Sequence, residues 1–90
     1  MIVISTDEYF KCIDKIKDAT VVDRAVGAVK KLKNANYLHE VTNVKPMKGH
    51  AGFYRISFGD YRIGFYYFEE EQKIRLLAFG HRSKIYRFFP

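Results

Sequence analysis

Ninety residues suffice for one domain spanning 1–90 and exclude a second core, so any site must lie on the surface of a single small fold. The chain is 48% hydrophobic and 17% aromatic, with Tyr and Phe supplying every aromatic ring, which excludes a disordered tail. Lys and Arg outnumber Asp and Glu by 16 to 10, and five basic residues but no acidic one follow Glu71, so the partner expected is anionic: nucleic-acid phosphate or an acidic protein segment.

"MIVIS" predicts a short buried strand and is too short for a secretory apolar core; no other run approaches membrane-spanning length. Ser5 as N-cap with Glu8 three residues later predicts a capping box, followed by a helix that buries Phe10, Ile13 and Ile16, flanked by Tyr9 and Cys12, and ends near Asp18. Cys12 is the only cysteine, which excludes an internal disulfide and, with the absent membrane signals, predicts a cytoplasmic protein without membrane contact. Thr20 and Asp23 repeat the capping signature, and Val22, Ala25, Val26, Val29 and Leu32 form the apolar stripe of a second helix opposite Lys30, Lys31 and Lys33. Those lysines read as a solvated face that an acidic partner could also use.

Between Asn34 and Gly52 the periodicity disappears, with room for a short strand or turn around "LHEVTNVK". "FYRISF", "YRIGFYYF" and "IRLLAF" then predict three strands joined by hairpins at Gly59-Asp60 and at "EEEQ". The order is β-α-α-β-β-β, an α+β domain with a helix hairpin packed on one face of a small twisted antiparallel sheet.

A two-residue turn at Gly59-Asp60 pairs Phe58 with Tyr61, Ile56 with Ile63 and Tyr54 with Phe65 on the helix side. The opposite face then carries Ser57 beside Arg62, Arg55 beside Gly64 and Phe53 beside Tyr66. Gly64 predicts a gap through which a ligand's backbone or base could approach. Arginines and rings on an open sheet suit nucleic acid, because guanidinium binds phosphate bidentately and rings stack on bases; plain solubility is the commoner reason for such residues.

Cys12 has no evident partner and reads as a packing residue, His39 and His50 fall in the irregular connection, and "EEE" at 69–71 reads as a solvated turn. Three scattered histidines and one cysteine have no metal-ligand spacing, so neither metal nor other cofactor is expected.

"GHRSKIYR" carries a different mixture: His81, Arg82, Lys84, Tyr86 and Arg87. Attack of an RNA 2'-hydroxyl on its own phosphodiester needs a proton acceptor, a proton donor for the 5'-oxygen and cations for the charge on phosphorus. Histidine, tyrosine and arginine would supply them. A terminal strand with solvated charges would show the same composition.

"GFYRISFGDYRIGFYY" followed by "FGHRSKIYRFF" resembles the RelE/ParE superfamily of type II toxins, specifically its RelE-like branch, over nearly the whole chain. The resemblance implies an mRNA interferase: a metal-independent endoribonuclease that inhibits translation by cutting messenger RNA in the ribosomal decoding site. It also implies an acidic antitoxin as inhibitor, and operator DNA as a partner only through the antitoxin complex. Arg62, Arg82 and Tyr86 match the family's strand arginine, last-strand arginine and C-terminal tyrosine, and His81 takes a place where relatives carry lysine or histidine. Arg62, Arg82, Tyr86 and His81 are thus the expected catalytic set, with His81 as general base, and Lys48, Arg55, Lys84 and Arg87 are expected to bind RNA. Ser57 stands where some active members carry a second strand lysine. With four residues after Tyr86, the C-terminal helix of some members has no counterpart, so an antitoxin is expected to bind differently. Two rivals share the fold: a ParE-like gyrase inhibitor without ribonuclease activity, and an inactive member that only binds antitoxin or operator.

Overall fold

Strand β1 (Ile2–Ser5) runs into helix α1 (Asp7–Asp14), and Thr6 rather than Ser5 caps the helix. In the computed structural model, which describes residues 1–90, the Thr6 hydroxyl accepts the Tyr9 N–H at 3.2 Å and donates to the Leu76 carbonyl at 2.6 Å. Ser5 is unavailable as a cap because its backbone belongs to β1, opposite Leu76. The one-residue shift moves the buried face: Tyr9 is in the core against Phe79, and Phe10, expected inside, is 50% exposed. The helix also stops at Asp14, short of the expected Asp18.

Asp18 caps helix α2 (Ala19–Asn34) by accepting the Thr20 N–H at 2.9 Å, two residues before the expected start. Val21, Ala25, Ala28 and Leu32 form its buried stripe, and Val26 lies exposed. An i, i+4, i+7 spacing fits this face as well as it fits the expected one, and the sheet beneath selects between them.

The five strands lie in the order β1-β5-β4-β3-β2, with β2 (Val44–Pro46), β3 (Phe53–Phe58), β4 (Tyr61–Phe68) and β5 (Lys73–His81). Neighbours among β2 to β5 run antiparallel, as expected, whereas β1 pairs parallel with β5, making the sheet mixed. β1 is an edge strand rather than a buried one: Met1 and Val3 pack on the core, and Ile2 and Ile4 stay exposed on the other face. No helix is long and apolar enough to cross a membrane.

The β3–β4 register matches the sequence expectation at all six pairs. Ile56, Ile63 and Phe65 are buried under the helices with Ile74, Leu76 and Phe79. Between β4 and β5 the pairing slips, Gly64 opposing Ala78 while Phe65 opposes Leu76, so Leu77 is the extra residue of a β-bulge.

After β5 the chain folds through a 3-10 turn (Ile85–Arg87) onto the sheet face opposite the helices. There Ile85 and Phe89 are buried with Ala78 and pack against Met47, Phe53 and Leu77. The gap expected at Gly64 is therefore closed by the chain itself: a Cβ there would lie 2.5 Å from the Phe89 ring. Burial of the Phe89 side chain offers about 2 kcal/mol, which favours docking the tail over leaving the glycine open to a ligand.

Candidate active site

The site is built around the turn at Gly59-Asp60. Gly59 has φ +56°, a conformation that glycine adopts without penalty, and it sets β3 and β4 in the register that places Arg62 across from Ser57 on one side and Gly80 on the other. With small neighbours in both directions, the Arg62 side chain folds back over the turn, and its Nη1 donates to the carbonyls of Gly59 and Tyr61, each at 2.9 Å.

Arg82 reaches the same turn from beyond β5. Its backbone N–H donates to the Asp60 carbonyl at 2.7 Å, and its Nε lies 3.4 Å from Asp60 Oδ1. The two arginines thus converge on the three consecutive residues Gly59, Asp60 and Tyr61, each with N–H groups left over for an anion. Tyr86 follows in the 3-10 turn, 44% exposed, with a hydroxyl that has no partner within the chain, so its ring and its proton are both available.

His81 is brought to this end of the sheet but onto its other side. It pairs with Tyr61, whose side chain faces the helices, and the two rings meet edge to face at 5.5 Å. Its Nδ1 accepts the Ser83 N–H at 3.1 Å and lies 2.8 Å from the Ser83 hydroxyl. Because a backbone N–H can only donate, this hydrogen-bond network assigns the neutral ring's proton to Nε2, leaving a donor rather than a base on the free edge. A cavity of about 370 Å³ adjoins it, lined by Cys12, Lys15, Tyr61 and Lys84 among others.

The remaining candidates separate. Arg55 is half-buried and its Nη1 donates to the Ser57 hydroxyl, so Ser57 orients a cation on the tail-covered face. Arg87 is exposed in the turn beside Tyr86. Lys48 lies in the β2–β3 connection, at the opposite end of β3 from Gly59, and does not join the cluster. No three His, Cys, Asp or Glu side chains converge in a geometry that could hold a metal ion.

Asp60 is the member of this cluster that sequence reasoning passed over, because it reads as turn chemistry. Finding its partnership with Arg82 requires the β4–β5 register, which the bulge at Leu77 hides. Phe89 was missed likewise, since "RFFP" carries no period that distinguishes a docked tail from a strand end.

Comparison with known proteins bears on the family and the fold. Residues 3–86 match the family model described as the ParE toxin of the type II toxin-antitoxin system parDE. Toxin RelE3 of Methanocaldococcus jannaschii is 33% identical over 63 residues, 69% of each chain. The RelB-RelE antitoxin-toxin complex from Methanococcus jannaschii contains a chain that superposes with a TM-score of 0.78 at 25% identity, covering 97% of this chain and 99% of that one. The toxin-antitoxin complex RelBE2 of Mycobacterium tuberculosis contains a similar fold, with TM-score 0.73, 19% identity and 92% of each chain covered. With the family model spanning β1 through Tyr86 and a curated toxin alike in sequence, the chain belongs to the RelE/ParE superfamily of type II toxins.

Proposed function

We propose that this toxin is a metal-independent mRNA endoribonuclease of the RelE type that acts on messenger in the ribosomal decoding site. The 2'-hydroxyl releases its proton to solvent as its oxygen attacks the adjacent phosphorus, the bond from phosphorus to the 5'-oxygen breaks, that oxygen takes up a proton, and a 2',3'-cyclic phosphate and a 5'-hydroxyl result. The observation that carries this reading is the convergence of Arg62 and Arg82 on the Gly59-Asp60 turn, with the unpartnered Tyr86 four residues on.

In this reading Arg62 and Arg82 hold the scissile phosphate and stabilise the charge on its equatorial oxygens. Tyr86 stacks on a base or protonates the leaving oxygen. His81 was the natural base by composition; with Nδ1 occupied by Ser83, its Nε2–H instead suits donation to a phosphate or base edge. With the one carboxylate at the turn, Asp60, facing Arg82, the toxin gains most from a ribosome that orders the 2'-hydroxyl for attack. Arg55, Lys84 and Arg87 would contact flanking RNA, and Lys48 a more distant segment. The net charge of +6 suits an acidic antitoxin, and the similar chains stand in toxin-antitoxin complexes. Operator DNA would be reached through that antitoxin, in the cytoplasm.

The test adds the protein to a cell-free translation reaction and maps messenger 5'-ends, with an Arg82→Ala, Tyr86→Ala variant alongside. New ends at fixed positions within codons, absent without ribosomes and absent with the variant, are expected. The parDE description of the matching family supports a second reading, inhibition of gyrase; intact messenger together with failed DNA supercoiling would select it.

A further inference from the structure

A third arginine reaches the Gly59-Asp60 turn from the helix side. Arg24 of α2 lies over the Phe58 ring, 5.4 Å from its centroid, and its Nη1 would be 3.2 Å from a Cβ added to Gly59. It makes no ion pair and no side-chain hydrogen bond within the chain. Three guanidinium groups therefore surround a turn with a single carboxylate, and that carboxylate already faces Arg82.

Beyond Arg24 the surface falls into a groove of about 470 Å³ between α2 and β3. Arg24, Gly27 and Lys31 form its helix wall, Thr42 and Asn43 its far side, and no carboxylate lines it. An added Cβ at Gly27 would touch nothing within 4 Å, so the space between the two cations is open. Seven residues of helix separate them by about 10 Å, too far for one phosphate to bridge and suited to a chain of them.

We infer that this groove is a second phosphate subsite that takes the sugar-phosphate backbone of single-stranded RNA next to the segment held by Arg62 and Arg82. The strand crosses the hairpin turn from the tail side of the sheet to the α2 side. Arg24, steadied by Phe58 and by the bare Cα of Gly59, is the contact at the crossing, and Lys31 is the contact beyond it. This inference rests on the reading of the protein as an RNA-binding toxin.

The experiment measures binding of a labelled single-stranded RNA of about 12 nucleotides by fluorescence anisotropy over a salt series of about 50 to 300 mM. Removing two phosphate contacts with Arg24→Gln, Lys31→Gln should flatten the slope of log affinity against log salt by about 1.4 and weaken binding about tenfold at the lowest salt. The charge-matched Lys11→Gln, Lys17→Gln variant on the α1 side should keep the wild-type slope. An unchanged slope in the first variant, an equal loss in the second, or a wild type that does not bind RNA overturns the subsite. So does a groove variant that loses poly(Glu) binding while keeping the RNA slope, which would assign the groove to an acidic protein. Failure of the proposed function reads differently: a wild type that binds RNA with the steep slope yet leaves messenger intact in translation.

Discussion

Asp60 holds Arg82 at two points, its carbonyl accepting the Arg82 backbone N–H at 2.7 Å and its carboxylate lying 3.4 Å from the Arg82 Nε. The backbone contact fixes where the chain leaves β5, and the carboxylate aims the guanidinium. Both side chains are well exposed, so the ion pair contributes at most about 1 kcal/mol to stability. Asp60→Ala should therefore leave the thermal midpoint nearly unchanged and lower messenger cleavage about tenfold, with Asp60→Asn in between, because the barrier depends on where a cation sits. Primer extension and a thermal melt on the same preparations check this.

Arg62 donates to two carbonyls through Nη1 alone, which leaves Nη2 and Nε of the planar fork for a phosphate, whereas a lysine making the same two bonds would keep a single N–H. Arg62→Lys keeps the charge and loses the fork, so cleavage should fall about 100-fold while RNA affinity changes little. Single-turnover cleavage alongside anisotropy would separate the two effects.

Gly64 and Phe89 should behave as one unit. Gly64→Ala places a methyl 2.5 Å from the Phe89 ring and should destabilise the protein by about 2 kcal/mol. Phe89→Ala should cost about 3 kcal/mol by emptying the small core under the tail. The double variant should lose at least about 1 kcal/mol less than the sum, since the methyl fills part of the space the ring leaves. Urea denaturation of the four proteins closes the cycle.

Burial pushes the Tyr9 hydroxyl up to about 12, with the nearby Cys12 thiolate adding to the effect. The folded state therefore holds that proton more tightly than the unfolded chain does, so the stabilisation is complete below about pH 10 and is lost as the pH rises to about 12. That difference is on the order of 2 to 3 kcal/mol. In urea titrations, Tyr9→Phe should flatten the alkaline loss of stability by about that amount relative to wild type.

The β3–β4 hairpin was legible residue by residue because a two-residue turn at Gly59-Asp60 leaves only one register, and every pair follows from it. The helices were legible as helices, but their phase was not: Ser5 and Thr6 are both good caps, and only the pairing of Ser5 with Leu76 selects Thr6. The parallel contact of β1 with β5 joins segments about seventy residues apart and leaves no turn to read. At the site, the cationic residue types and the tyrosine were plain from "GHRSKIYR". The side of the sheet from which each approaches was not, and neither was the link from Arg82 to Asp60. Arg24 was hidden for a further reason: nothing in α2 marks one exposed cation as resting on a glycine in a distant turn.

The extra residue at Leu77 acts as a parity switch for everything after it. Before the bulge, Ile74 and Leu76 face the helices; after it, Phe79 does so, and Ala78 and Gly80 turn to the tail side. Strict alternation from Leu76 would send Ala78 and Gly80 under the helices and expose the Phe79 ring. Straightening the bulge with Leu77 kept in the ladder would also bring His81 round to the side of Arg62 and leave Ile85 and Phe89 without their seat. A further single-residue insertion between Leu76 and His81 should therefore be tolerated far less than one in the surface turn at 69–72, whereas deletion of Leu77 would only remove the bulge and keep every later side chain on its present face.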